Sequence, residues 1–267
     1  MTTKNVMIFG HGRVAQVCVH RLMELQSEFN VAALNTNLQF YNGFCKQYPQ
    51  NNAVHINDNQ RNTDQILETI EKQNIDFLFS VNYRWILPQE VLDAVDGRAY
   101  NLHPAKLPRY RGYYSISHVI ANREPRHTIT IHQMSNEVDL GNILIEVNTD
   151  LEPDETALSL YQKSLPLSRK AFDTFLERVR FNDIDSGTPQ DPDTGWFYDR
   201  DAFQVLRKLT WNDPPRHVES VVRACFFPPY EPAYADYADR KYFLVPRQSP
   251  QWEGTWPFNK SSWEKEE

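Results

Sequence analysis

The stretch Asn5-Val6-Met7-Ile8-Phe9-Gly10-His11-Gly12-Arg13-Val14-Ala15 decides the reading of the fold. Residues 6–9 form a short apolar run of strand length, and it ends on two glycines one residue apart. Behind them Val14, Val17, Cys18, Leu22 and Leu25 recur at helical spacing. Strand, glycine turn and amphipathic helix, in that order, open a βαβ unit. The pattern then continues. Residues 31–34 are a second apolar run, Ile66, Leu67 and Ile70 mark a helix, and 75–81 is a third run. Pro88 can start a short helix through Val95, and 98–102 reads as a strand. Residues 116–121 are helical in pattern, while 128–132 alternate with period two and find a partner strand in 143–147. A long helix is expected over roughly 154–180, kinked at Pro166. Strands alternating with helices give an α/β fold, a Rossmann-like, mostly parallel sheet with helices on both faces.

Residues 182–189 have the composition of a linker. Beyond them aromatics and prolines gather around one helical segment near 215–224. The expected organisation is therefore a catalytic domain over 1–185 and a small α/β C-terminal extension over 186–267. The last residues, 261–267, are expected to fray.

Bulk properties narrow the function classes. The chain has 267 residues, enough to bury a sizeable core. A net charge of −7 argues against a protein built to grip nucleic acid. Cys18, Cys45 and Cys225 are far apart and form no CxxC pair, so neither zinc nor a disulfide framework is expected. Free buried thiols fit a reducing cytoplasm. No leader-like segment precedes the first strand, and no window approaches the roughly 18 apolar residues of a membrane helix.

Gly10-His11-Gly12-Arg13-Val14-Ala15 matches the G-x-G-x-x-A of dinucleotide binders, so an NAD(P)-dependent oxidoreductase competes. Such proteins hold the ribose with an acid at the end of the second strand. Here that strand ends Leu34-Asn35-Thr36-Asn37, with no acid, which lowers that reading.

The chemistry is concentrated in Asn101-Leu102-His103-Pro104-Ala105-Lys106-Leu107-Pro108-Arg109-Tyr110-Arg111-Gly112. Period two points Asn101 and His103 to one side of a strand end, at the sheet edge where open α/β folds bind ligands. Asp139-Leu140-Gly141 follows, 36 residues after His103, with Thr128-Ile129-Thr130-Ile131-His132 in between. This spaced set resembles the folate-dependent formyltransferases, whose signature is similar to Asn-x-His-Pro-Ser, then Leu-Leu-Pro-x-Tyr-Arg-Gly, a Val-Thr-Val-His strand and Asp-x-Gly. Ala105 and Lys106 depart from the usual Ser and Leu, next to the catalytic letters and not among them.

The residue types suit formyl transfer. An amine attacks the formyl carbon and an oxyanion develops. Asn101 can donate to that oxygen. His103 can donate to the same oxygen or accept the amine's proton. Asp139 can orient the imidazole and stabilise its charged form. No covalent intermediate is needed.

The resemblance implies 10-formyltetrahydrofolate as donor and no metal. The family's pterin pocket corresponds to Tyr83, Arg84, Trp85, Ile86 and Leu87 on one side and Glu137, Val138 and Asp139 on the other. For the acceptor, the segment from Arg223 through Phe226, Phe227 and Tyr230 to Tyr234 is similar to nucleotide-sugar N-formyltransferases. Phe226, Phe227 and Tyr230 are expected to stack on a base. Gly10 and His11, with Arg13, Lys106, Arg109, Tyr110 and Arg111, are expected around the pyrophosphate. The closest resemblance is to enzymes using dTDP-4-amino-4,6-dideoxyglucose in surface polysaccharide (O-antigen) synthesis. A 3-amino sugar, a GDP carrier and a methionyl-tRNA acceptor stay open. A homodimer is expected, with neither nucleic acid nor membrane as a partner.

Overall fold

The computed structural model describes residues 3–59, 62–184 and 186–247. The tail 261–267 lies outside the described residues. In chain order the elements are β1 (Lys4–Gly10), α1 (Gly12–Glu24), β2 (Phe29–Thr36), α2 (Leu38–Gln47), β3 (Val54–Asn57), α3 (Thr63–Lys72), β4 (Phe77–Val81), α4 (Gln89–Asp93), β5 (Ala99–His103), β6 (Tyr110–Gly112), α5 (Ser115–Ala121), β7 (Arg126–Gln133), β8 (Ile143–Asp150), α6 (Ala157–Arg180), β9 (Trp196–Tyr198), α7 (Arg200–Arg207), β10 (Lys208–Leu209), α8 (Pro215–Ala224), β11 (Ala233–Tyr237) and β12 (Arg240–Leu244). The elements read from the sequence are all present. No described helix is long and apolar enough to cross a membrane.

Seven strands form the main sheet, in the order β3-β2-β1-β4-β5-β7-β8. The run from β3 to β5 is parallel, and β7 pairs with β5 antiparallel. The mostly parallel sheet expected from the alternation of strands and helices is thus observed. Contacts divide the chain into two compact units. The first takes the described residues within 1–108, 128–147 and 165–195, and the second those within 109–127, 148–164 and 196–267.

In the first unit the apolar run Val6, Met7, Ile8, Phe9 is fully buried, because both faces of a central parallel strand are covered. On one face Phe79 of β4 meets Phe172 and Phe175 of α6, at ring separations of 4.6 and 5.1 Å. On the other, Met7, Phe9, Ala33, Ile56 and Leu78 pack with Ile66, Ile70, Leu87 and Val91. Helix α1 buries Val14, Ala15, Cys18, Val19 and Leu22, one stripe at helical spacing. Strand order reverses between β1 and β4, and open α/β sheets in general bind ligands at the loops after such a pair of strands.

The glycine loop is explained first by packing. Gly10 has φ +106°, and a Cβ placed on it would lie 1.7 Å from the carbonyl oxygen of Val81. Only glycine lets the end of β1 come this close to the end of β4. Gly10→Ala is therefore expected to destabilise the fold by roughly 3–5 kcal/mol, the range of severe backbone strain and overpacking. Thermal unfolding measures it, and a variant as stable as the wild type would contradict the packing account.

Strand β7 departs from the expected half-buried alternation. Ile129 and Ile131 are buried, and so are Thr128, Thr130 and His132. Its polar side is internal because it faces polar partners. Thr130 Oγ1, for instance, donates to the Ala105 carbonyl at 2.7 Å.

The second unit contains the sheet β10-β11-β12 and the parallel ribbon β6–β9. Phe203, Leu209, Val221, Val222, Cys225, Ala233 and Ala235 form its core, and Tyr114 stacks on Phe203 at 4.3 Å. His118 of α5 stacks on Tyr198 at 3.8 Å, and burial pushes its imidazole from 6.5 down to about 4. Between these values the unfolded chain holds more protons than the folded one. Stability is therefore undiminished above about 6.5 and falls as the pH drops through that window, by on the order of 3 kcal/mol from this group. His118→Phe keeps a ring in the stack and removes the titration. Its loss of stability between pH 7 and pH 4.5 in urea unfolding should be clearly smaller than the wild type's. Equal losses would show that His118 is not the titrating group.

Candidate active site

The first unit assembles a polar cluster at the end of β5. Antiparallel pairing with β7 sets Asn101 opposite His132 and His103 opposite Thr130. Alternation puts Asn101 and His103 on the same face of β5, so the four side chains share one side of the strand pair. The loop after β7 then delivers Asp139. Its carboxylate lies 3.4 Å (Oδ2) from His103 Nδ1, 3.4 Å (Oδ1) from Asn101 Nδ2 and 3.5 Å (Oδ1) from His132 Nε2. Asn101 Nδ2 is also 3.1 Å from His132 Nε2. The three residues expected to carry the reaction are thus neighbours in space.

Burial makes these contacts count. The His103 side chain is 5% exposed and that of Asp139 12%, so the attraction between them is weakly screened. A carboxylate accepts only, so the His103 nitrogen facing Asp139 carries a hydrogen in that pair.

The Asp-x-Gly loop has a local reason for its sequence. Asp139 adopts φ +55°, a left-handed conformation that Asp tolerates better than most residues. A Cβ on Gly141 would sit 1.7 Å from the carbonyl oxygen of Gln133, so glycine is required for the chain to return against β7. Gln190 pins the loop, donating through Nε2 to the carbonyls of Asp139 (3.0 Å) and Gly141 (2.5 Å).

The residues expected around the donor lie in the same unit. Tyr83 meets Phe9 edge-on at 5.1 Å. Trp85 Nε1 donates to the Asp58 carbonyl at 2.9 Å. The Leu87 side chain is spent in the core, whereas Ile86 is 45% exposed and Arg84 half-buried. Glu137 is exposed and Val138 half-buried. Stretch 83–87 thus presents the exposed Ile86 next to Leu87, with Tyr83 and Met134 packed against the cluster that holds Leu87.

The residues expected around the acceptor divide between the units. In the first, Gly10 and His11 stand before α1, and His11 Nδ1 faces Asp58 Oδ2 at 3.2 Å. Arg13 and Lys106 are exposed. In the second, Arg109 pairs with Glu124 at 2.7 Å, and its guanidinium lies 5.7 Å from the centre of the Trp196 ring. Arg111 is half-buried. Two expectations are corrected. The Tyr110 ring is inside, and its hydroxyl donates to Glu124 at 2.6 Å. Phe226 is 3% exposed. Each ring is consumed by packing, which reduces the proposed stacking surface to Phe227 and Tyr230, themselves 5.8 Å apart.

Two residues of the cluster were not singled out from the sequence. His132 closes the strand 128–132 that shares in the family resemblance but was given no role there, and its place beside Asn101 follows from the β5–β7 register; Gln190 directly follows the stretch 182–189 read as linker. No sequence signal marks Gln190.

Comparison with known proteins gives this geometry a context. The family model described as formyl transferase matches residues 4–176. The chain is 26% identical over 243 residues to GDP-perosamine N-formyltransferase of Brucella melitensis biotype 1, an alignment covering 90% of this chain and 92% of that protein. Its fold is similar to a 4-N formyltransferase from Francisella tularensis, with TM-score 0.74, 19% identity, and 91% and 96% of the two chains covered. It is also similar to an N-formyltransferase from Helicobacter canadensis in complex with folinic acid and dTDP-3-aminofucose. There the TM-score is 0.71 at 17% identity, over 89% and 85% of the chains.

Proposed function

Because the chain belongs to the formyl transferase family, we propose that it transfers the formyl group of 10-formyltetrahydrofolate to the amino group of a nucleotide-linked amino sugar. The carrying observation is the cluster of Asn101, His103 and Asp139 at the carboxyl end of β5. Similarity over most of the chain to a protein named GDP-perosamine N-formyltransferase supports the acceptor class.

The bound donor supplies an activated formyl carbon. The chain's own residues do the rest. With Nδ1 hydrogen-bonded to Asp139, His103 presents Nε2 as a base and takes a proton from the attacking amine. Asn101 donates an amide hydrogen to the formyl oxygen, where negative charge develops. Asp139 stabilises the imidazolium that results. The carbon–nitrogen bond to the sugar forms, the bond to the folate nitrogen breaks, and the proton held at His103 returns to that leaving nitrogen. Stretches 83–87 and 137–139 hold the donor.

The finer reading is dTDP-4-amino-4,6-dideoxyglucose as acceptor, in surface polysaccharide synthesis. A relative named for GDP-perosamine makes a GDP-linked sugar the natural comparison. Purified protein is offered 10-formyltetrahydrofolate with dTDP-, UDP- and GDP-linked amino sugars and with methionyl-tRNA, and products are read by mass. Formylation of the dTDP-linked 4-amino sugar at the highest kcat/KM is expected. Preference for a GDP-linked sugar would change the carrier only. Formylation of tRNA alone would overturn the acceptor class.

A further inference from the structure

We propose that the first unit carries a second binding site, for a neutral saccharide, in an amide-lined cleft at the sheet edge opposite the catalytic cluster. Strands β1, β2, β4 and β5 are parallel, so their ends share one edge and their starts share the other. Asn101, His103 and Asp139 gather at the end of β5. The cleft, of about 600 Å³, lies instead where β2 begins, and is lined by the loops after α1 and α2 and by Gln73 behind α3. That volume falls within the ~300–1,000 Å³ of small-molecule sites.

The lining selects the class of ligand. None of its residues is charged, although 24% of the chain is. A phosphate, carboxylate or ammonium group would shed water here and gain no counter-charge. This sets the cleft apart from any grip on the phosphates of a nucleotide. Seven of the thirteen lining residues are Asn or Gln, and such an amide both donates and accepts, as a sugar hydroxyl does. Gln26, Gln50, Asn52 and Gln73 have no hydrogen-bond partner among the described residues, so their amides are available to a ligand. Met23, Pro49 and the half-buried Tyr48 add apolar lining that suits the C–H face of a pyranose.

The wall is built before any ligand arrives. Asn51 folds the turn: its Oδ1 accepts from the Ala53 N–H at 2.8 Å, and its own N–H donates to the Tyr48 carbonyl at 3.0 Å. The Tyr48 N–H ends α2 on the Phe44 carbonyl at 2.8 Å, and the Tyr41 hydroxyl donates to the Ala53 carbonyl at 3.1 Å. Gln50 and Asn52 flank Asn51 on this fixed turn. Binding therefore has to order side chains and not backbone, which lowers its entropic cost.

The test is a nitrogen-15 NMR titration of the full chain with glucose, galactose, mannose, N-acetylglucosamine and maltose, and with inorganic phosphate and dTDP as charged comparisons. At least one saccharide is expected to shift the side-chain amide signals of Gln26, Gln50, Asn52 and Gln73, with a Kd on the order of 1 mM. Phosphate and dTDP should leave those signals in place. The double variant Gln50→Ala, Asn52→Ala alters two exposed residues and should unfold like the wild type. It is expected to weaken saccharide binding at least about 10-fold, the worth of two hydrogen bonds, and to leave formyl transfer unchanged. No shift with any saccharide up to about 50 mM would overturn the proposal, as would shifts that survive the double variant or that phosphate alone produces. The titration needs no turnover, so its failure is distinct from a failure of the proposed reaction.

Discussion

Replacing His103 with alanine is expected to lower kcat by about 10³-fold, within the range that general-base catalysis supplies. KM for both substrates should change little, because the proposed base acts on a proton in transit and not on the bound ground state. Asp139→Asn provides the sharper companion test. One carboxylate oxygen faces His103 Nδ1 and the other faces Asn101 Nδ2. Asparagine has a single acceptor oxygen, so one of these two donors would meet an NH2 group instead. The charge proposed to stabilise a protonated His103 is lost as well. A fall in kcat of about 10²-fold or more is expected, with unfolding behaviour close to wild type. Steady-state kinetics of the two variants check this. Retained turnover in His103→Ala would remove the proposed base.

The second large effect belongs to Gly141→Ala. The added Cβ would lie 1.7 Å from the oxygen and 2.6 Å from the carbon of the Gln133 carbonyl, so backbone must move. That carbonyl is the partner of His132 Nδ1. The same loop carries Asp139 and is tied by Gln190 at both Asp139 and Gly141. One methyl group therefore displaces the carboxylate and the histidine behind Asn101 together. Misplacement on this scale costs about 10²-fold or more in rate. The strain should also cost roughly 3 kcal/mol of stability. Kinetics and thermal unfolding of Gly141→Ala read both quantities. A variant with wild-type turnover would show that the loop has room the structure does not provide.

How far the sequence could be read depended on the range of the interaction. Strand β1 and helix α1 announce themselves, because an apolar run and a helical stripe are local patterns. Asn101, His103 and Asp139 were legible through their spacing and the resemblance it carries. Short or weakly patterned elements were not. Helix α2 buries only Phe44 and is held at its start by Asn37, which accepts from the Phe40 N–H. Strand β3 is four residues long and contains His55 and Asn57. The small sheet β10-β11-β12 begins with a two-residue strand, too short for a period to show.

Pairings across strands were the least legible. His132 reads from sequence as the last polar residue of an alternating strand. Its place opposite Asn101 follows from a register that depends on β5 lying antiparallel to β7. Burial of aromatic rings was hidden for the same reason. Tyr110 lies within a motif and Phe226 within a run of aromatics and prolines, and both suggest exposed binding surface. Tyr110 is 1% exposed, because its hydroxyl has found Glu124 and its ring stacks on Tyr198 at 6.0 Å. An aromatic residue in a motif is thus ambiguous until its polar tip has an assigned partner.

The most direct test follows the carbon itself. Donor labelled with carbon-13 in the formyl group is mixed with wild-type protein and dTDP-4-amino-4,6-dideoxyglucose, or with the GDP-linked sugar if that is the better acceptor. The label is then followed by NMR, with Asn101→Ala and His103→Ala run in parallel. The account expects the label to appear as an amide on the sugar nitrogen with the wild type, and at least about 10²-fold more slowly with each variant. Label that stays on the folate, or that reaches the amine equally fast without Asn101 and His103, would contradict it.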